Sequence, residues 1–152
     1  MAVEADPRSD SPAATMPTPR GRVAGVARAA LLALAAVLTA GALAQFFLAG
    51  LGVFDAPGYW TAHEALGSAL GLVAFVAWIP ALLGGVGRRV TGATLLLPAL
   101  YTLQHVFPYL EQAWLRALHP LNGACLFALS LWLGVRALGL LPRTTASPVV
   151  TS

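Results

Sequence analysis

Four long apolar stretches, separated by short segments rich in Pro, Gly and charge, restrict what this chain can become. They run from about Val26 to Leu51, Trp60 to Leu83, Val90 to Leu110 and Leu115 to Leu140. At about 1.5 Å per residue, each is long enough as a helix to cross a hydrocarbon core of about 30 Å. A lipid-exposed backbone must satisfy its own hydrogen bonds, so such segments are helical. A soluble domain of 152 residues has too little interior to hide a composition that is 58% hydrophobic and only 10% charged. The expected fold is therefore all-α: an antiparallel four-helix transmembrane bundle over residues 23–141. Residues 1–22 and 142–152, rich in Pro, Ser and Thr with no apolar period, read as disordered cytoplasmic tails. The first apolar run begins late and is too long for the core of a cleavable signal peptide.

Charge orients the bundle. All nine basic residues are Arg, which reads as a high-GC coding bias. Arg20, Arg22 and Arg28 flank the first span, Arg88 and Arg89 sit between spans two and three, and Arg136 and Arg143 flank the exit of span four. The opposite side has Arg116 with Asp55, Glu64 and Glu111. The positive-inside rule puts the Arg-rich side and both termini in the cytoplasm, here of a bacterial plasma membrane. Tyr59, Trp60, Tyr109 and Trp114 then mark the outer interface. Short Arg clusters at helix ends are not a nucleic-acid footprint, so the expected partners are the lipid bilayer and either further copies of the chain or other membrane subunits. Cys125 is the single cysteine, which leaves no intrachain disulfide, and it reads as a small buried apolar residue. Pro80 and Pro98 fall inside spans two and three and should kink those helices or be relieved by neighbours.

Polar residues within the spans gather toward the outer ends: Gln45, His63, Glu64, Gln104, His105, His119 and Asn122. At membrane depth such groups are costly and face the bundle interior or a functional site. They also repeat. Gln45, Phe46, Trp60, His63 and Gly67 in the first hairpin are echoed by Gln104, Phe107, Trp114, His119 and Gly123 in the second. Two hairpins inserted in the same direction form a parallel repeat, which would set His63 opposite His119 with Gln45 and Gln104 one layer behind.

Facing imidazoles on separate helices are what a haem iron uses as axial ligands, and bundle cores build cofactor sites this way. Gly67 and Gly123, one turn beyond each histidine, would leave space for a flat macrocycle, and Gly71 would lengthen the slot. Gln45, Gln104 or a backbone carbonyl could hold the second ring nitrogen of each ligand. Arg116 could meet the propionates. The expected cofactor-binding residues are thus His63, His119, Gly67, Gly123, Gln45, Gln104 and Arg116, with His63 and His119 on the iron of a haem b. Cobalt, copper or zinc on three histidines is an alternative without supporting HxxxH or HxH spacing. The plainer reading treats interfacial histidines as ordinary. Pro120 then makes His119 only the start of span four, and His105, which has no counterpart in the repeat, is packing or interface. Glu64, turned about 100° from His63, reaches toward the headgroups. Trp78 and Trp132 serve as anchors or packing.

Two segments, AQFFLAGLGVFDAPGYWTAHEALGSALGL (44–72) and LQHVFPYLEQAWLRALHPLNGACLFALSLWL (103–133), resemble one half of a haem A synthase. That resemblance implies a four-helix half with haem ligands on the second and fourth helices, at His63 and His119. The chain departs in having one half only, in lacking acidic residues before the first ligand, and in having Pro120 after the second. These departures bear against the synthase reaction and leave haem binding as the implication. The "LQ … LHP-N" pattern more closely resembles small uncharacterised four-helix bacterial membrane proteins, which implies a fold and no activity.

Two functions of different class follow: a b-type haem protein for electron transfer or haem handling, or a cofactor-free structural or assembly subunit whose polar cluster ties helices together. A transporter is disfavoured by the lack of midplane charge. No phosphate loop, Gly-x-Ser-x-Gly or HExxH occurs, so no soluble-enzyme catalysis is indicated, and a redox role requires bound haem.

Overall fold

A computed structural model describes residues 18–141, all of them helix or short connections. The elements are α1 (Pro19–Phe54), α2 (Tyr59–Val76), α3 (Trp78–Leu83), α4 (Arg88–Val106), a 3-10 turn (Phe107–Tyr109), α5 (Ala113–Arg116) and α6 (Leu118–Leu138). Taken with their continuations they make four helices long and apolar enough to cross a membrane: Pro19–Phe54, Tyr59–Leu83, Arg88–Tyr109 and Ala113–Leu138. The chain is an all-α, multi-pass membrane protein.

Local chemistry explains the boundaries. Thr18 caps α1, its hydroxyl accepting from the Gly21 N–H at 3.2 Å, and Pro19 takes the first helical position, where a missing N–H costs nothing. The helix thus starts at Pro19, inside the segment read from sequence as a tail; residues 1–17 and 142–152 lie outside the described part. Pro80 cannot donate to the Val76 carbonyl, and the second span breaks at Ala77 into α2 and α3. Pro98, in contrast, is absorbed within α4, where the Thr102 hydroxyl donates to its carbonyl at 2.8 Å. Gly85 (φ 58°) and Gly87 (φ 88°) make the turn into α4 in a left-handed backbone that other residues resist.

The helices pack in the cyclic order α1, α2, α4, α6, with α3 extending the second span between α1 and α4. α2 and α6 are therefore diagonal, as are α1 and α4. The core is one column of small and branched residues: Leu31, Ala35 and Leu38 from α1, Leu70 and Ala74 from α2, Leu97 from α4, Leu126 and Leu133 from α6. Phe47, Leu72, Leu95 and Val135 instead point outward and are exposed, as expected where lipid is the solvent. Gly41 lets α1 and α2 close, since a Cβ there would lie 2.4 Å from Leu70 Cδ2. At the proximal end, which carries residues 18–22 and 84–87, Arg28 Nε donates to the Gly84 carbonyl at 2.8 Å. That bond satisfies a free carbonyl at the C-terminus of α3. The distal end carries residues 55–58 and 107–117.

Candidate functional site

The polar residues singled out in the sequence meet near the distal end, around a cavity of about 530 Å³ between the diagonal helices. His63 on α2 and His119 on α6 face one another, their ring centroids 6.1 Å apart and their planes at 55°. Each ring is held alike. The His63 Nδ1 lies 3.1 Å from the Gln45 carbonyl, and the His119 Nδ1 lies 2.9 Å from the Gln104 carbonyl. A carbonyl only accepts, so in the neutral ring the Nδ1 carries the proton and the Nε2 keeps its lone pair. The repeat read in the sequence is thus a geometric two-fold: glutamine carbonyls on one diagonal pair of helices orient histidines on the other.

The glutamine side chains complete each half. Gln45 Nε2 donates to the His63 carbonyl at 2.9 Å. Gln104 Nε2 lies 3.3 Å from His119 Nε2, and its Oε1 accepts from Asn122 Nδ2, which also donates to the Leu100 carbonyl at 2.9 Å. Here the symmetry fails. The residue equivalent to Asn122, three beyond the first histidine, is Leu66. Gln45 Oε1 is accordingly buried with no partner among the described residues.

The two glycines differ in what lies against them. A Cβ on Gly67 would lie 2.8 Å from Gln45 Nε2, and one on Gly123 would lie 3.4 Å from Gln104 Nε2 and 3.5 Å from Phe46 Cε1. The Gln45 amide fills the space that Gly67 leaves, whereas Gly123 keeps room for a Cβ beside Gln104 and Phe46, and both glycines border the cavity. Gly71 faces His105 and Tyr101, with a Cβ 3.6 Å from the His105 ring.

The remaining residues divide. Arg116 lines the cavity, and its guanidinium closes the distal loop by donating to the Leu110 and Glu111 carbonyls at 3.0 and 2.9 Å. Trp60 meets the His63 ring edge-on at 5.5 Å. His105 borders the cavity, but its Nδ1 bonds the Tyr101 carbonyl of its own helix at 2.8 Å. Among the described residues no group of three His, Cys, Asp or Glu could hold a metal ion, which removes the three-histidine alternative. His119 lies within α6, not before it; Pro120 still falls in the first turn, where no intrahelical N–H bond is lost. Cys125 is exposed on the lipid side, contrary to the buried position expected. Trp132 stacks under Arg136, 5.3 Å from its ring centroid. The sequence marked Asn122 as polar but gave it no role; its spacing of three from His119, which puts both on one helix face, was the available signal. Tyr101, buried and lining the cavity, was not singled out at all.

No curated protein and no solved structure matches the chain, and the resemblance to a haem A synthase finds no support there. The expectation of an uncharacterised family is met: residues 45–108, which carry Gln45, His63 and Gln104 but stop short of His119, match the family of unknown function DUF6220.

Proposed function

We propose that this is a bacterial plasma-membrane protein, termini in the cytoplasm, that holds a b-type haem between His63 and His119 near the outer face for electron transfer or haem handling. One observation carries the reading: the two rings stand 6.1 Å apart, each with its Nδ1 on a backbone carbonyl. Metal–imidazole bonds of about 2 Å on each side put the centres of two opposed rings about 6 Å apart. A carbonyl partner on Nδ1 is the usual support of a ligating histidine. The cavity of about 530 Å³ falls within the range of small-molecule and cofactor sites. Arg116, which keeps further donors beyond its loop bonds, supplies a cation at the rim for a carboxylate. The Gln104 amide stands at His119 Nε2, but at 3.3 Å that contact is long for a hydrogen bond and is readily surrendered. Bound haem would supply one-electron redox chemistry; the chain's own part is to orient the imidazoles and exclude water.

The test is the absorption spectrum of detergent-purified protein expressed with added haem precursor. A Soret peak with sharp reduced α and β bands, lost in both His63→Ala and His119→Ala, is the expected result. A flat visible spectrum from folded protein discards the reading. It would leave a cofactor-free structural or assembly role, which one observation favours: of the buried polar side-chain atoms in the glutamine, histidine and asparagine cluster, only Gln45 Oε1 lacks a partner among the described residues.

A further inference from the structure

A second concavity, of about 490 Å³, opens between α2 and α4 on the side of the bundle that faces lipid. Its outer walls are the exposed Leu72, Phe75 and Val106. Beside the buried Tyr101, three exposed polar side chains, Ser68, Thr102 and His105, line it too, where lipid-facing polarity is costly without a partner. Each has already committed its proton. The Ser68 hydroxyl donates to the Glu64 carbonyl at 3.0 Å and the Thr102 hydroxyl to the Pro98 carbonyl at 2.8 Å. His105 Nδ1 bonds the Tyr101 carbonyl at 2.8 Å, so the neutral ring turns an unprotonated Nε2 elsewhere. What these groups offer the groove is acceptors, from two facing helices.

From this we infer that the groove binds the head group of a lipid-soluble hydroquinone, its hydroxyls donating to Ser68 on one wall and to His105 or Thr102 on the other. Phosphatidylcholine carries ester and phosphate acceptors and no hydrogen-bond donor, so it gives the Ser68 and Thr102 hydroxyls nothing to accept. A flat ring suits the floor. Gly71 lies between the two aromatic side chains of the floor, with a Cβ there 3.9 Å from the buried Tyr101 ring and 3.6 Å from the His105 ring, and adds no side chain of its own to the groove. An apolar tail would follow Leu72 and Phe75 into the bilayer. The inference does not depend on bound haem, although Ser68, Tyr101 and His105 also border the distal cavity.

The experiment measures saturable binding of a tritiated decyl-benzohydroquinone to the full-length protein in phosphatidylcholine nanodiscs, anaerobically and with no haem added. The expected result is saturable binding that the matching quinone, which cannot donate, displaces about tenfold less well, the factor that one lost hydrogen bond of about 1.4 kcal/mol gives. His105→Phe and Thr102→Val should each weaken binding, and Gly71→Leu should abolish it, with helicity and melting retained in at least one of the three. No saturable binding to folded wild type overturns the inference. So does equal affinity for quinone and hydroquinone, equal displacement by decanol, or full affinity in any folded member of the three variants. Because the binding is read without haem, a failure here and a missing Soret band are separate results.

Discussion

Single atoms decide much of the distal site. Gly67 and Gly123 occupy equivalent places, yet the clearance differs: 2.8 Å to Gln45 Nε2 at the first and 3.4 Å to Gln104 Nε2 at the second. Gly67→Ala should therefore push Gln45 off the His63 carbonyl and destabilise the fold by about 1–2 kcal/mol, the range for overpacking plus a lost bond. Gly123→Ala should cost less than half as much. Unfolding in mixed micelles checks the order, and equal effects would contradict the packing described. Asn122→Leu gives the second half-site the residue found in the first. It strands Gln104 Oε1 as Gln45 Oε1 is stranded, and should cost about 0.6–1.7 kcal/mol, from the average to the maximum measured for hydrogen bonds between membrane helices. If haem is bound, the same variant frees the Gln104 amide from its anchor, and a shift in the Soret position relative to wild type is expected.

At the level of elements, the contact of α1 with α2 turns on one missing side chain. Any Cβ at position 41 meets the buried Leu70, at 2.4 and 2.6 Å from its two methyl carbons. Gly41→Ala should lower stability by about 1–3 kcal/mol, and Leu70→Ala by about 2–5 kcal/mol through the cavity it leaves. Placed together, the added methyl enters that cavity, so the double variant should be more stable than the sum of the two losses predicts. A double-mutant cycle with no coupling would show that the helices are not apposed at this point. The Arg28–Gly84 bond joins α1 to the end of α3 in the same sense. Arg28, which reads in the sequence only as a charge for topology, is also the group that satisfies a helix end. Arg28→Met should loosen the proximal end, measured as faster amide exchange in residues 84–87.

Over the whole molecule, the four spans alternate in direction and leave residues 55–58 and 107–117 at one end and residues 84–87 at the other. The proposed orientation makes the first of these ends external. In a Cys125→Ser background, Ala56→Cys should react with a membrane-impermeant maleimide in intact cells, and Gly139→Cys only after permeabilisation. Both sites are exposed, and Gly139 has room for a Cβ, its nearest neighbour 3.6 Å away. The reverse labelling pattern would invert the bundle and place both the distal cavity and the lateral groove near the cytoplasm. The cyclic packing of α1, α2, α4 and α6 also explains why the cavity forms where it does. Diagonal helices are the farthest apart, and the His63 and His119 rings, each held by a glutamine carbonyl, line the gap without closing it.

Spans, helical class and the one-sided polar cluster could all be read from the order of residues, because lipid imposes a length, a composition and an internally bonded backbone on each crossing. The repeat of Gln, His and Gly was legible for a related reason: equivalent residues on equivalent hairpins must come to equivalent places. Other features depend on which helix neighbours which, and that is settled by packing between segments far apart in the chain. Gly67 faces an amide instead of open space because α1 lies against α2. Asn122 acts on Gln104 because α6 lies against α4. The polar face of Ser68, Thr102 and His105 becomes a groove only because α2 and α4 meet there, and no periodicity within either helix carries that information.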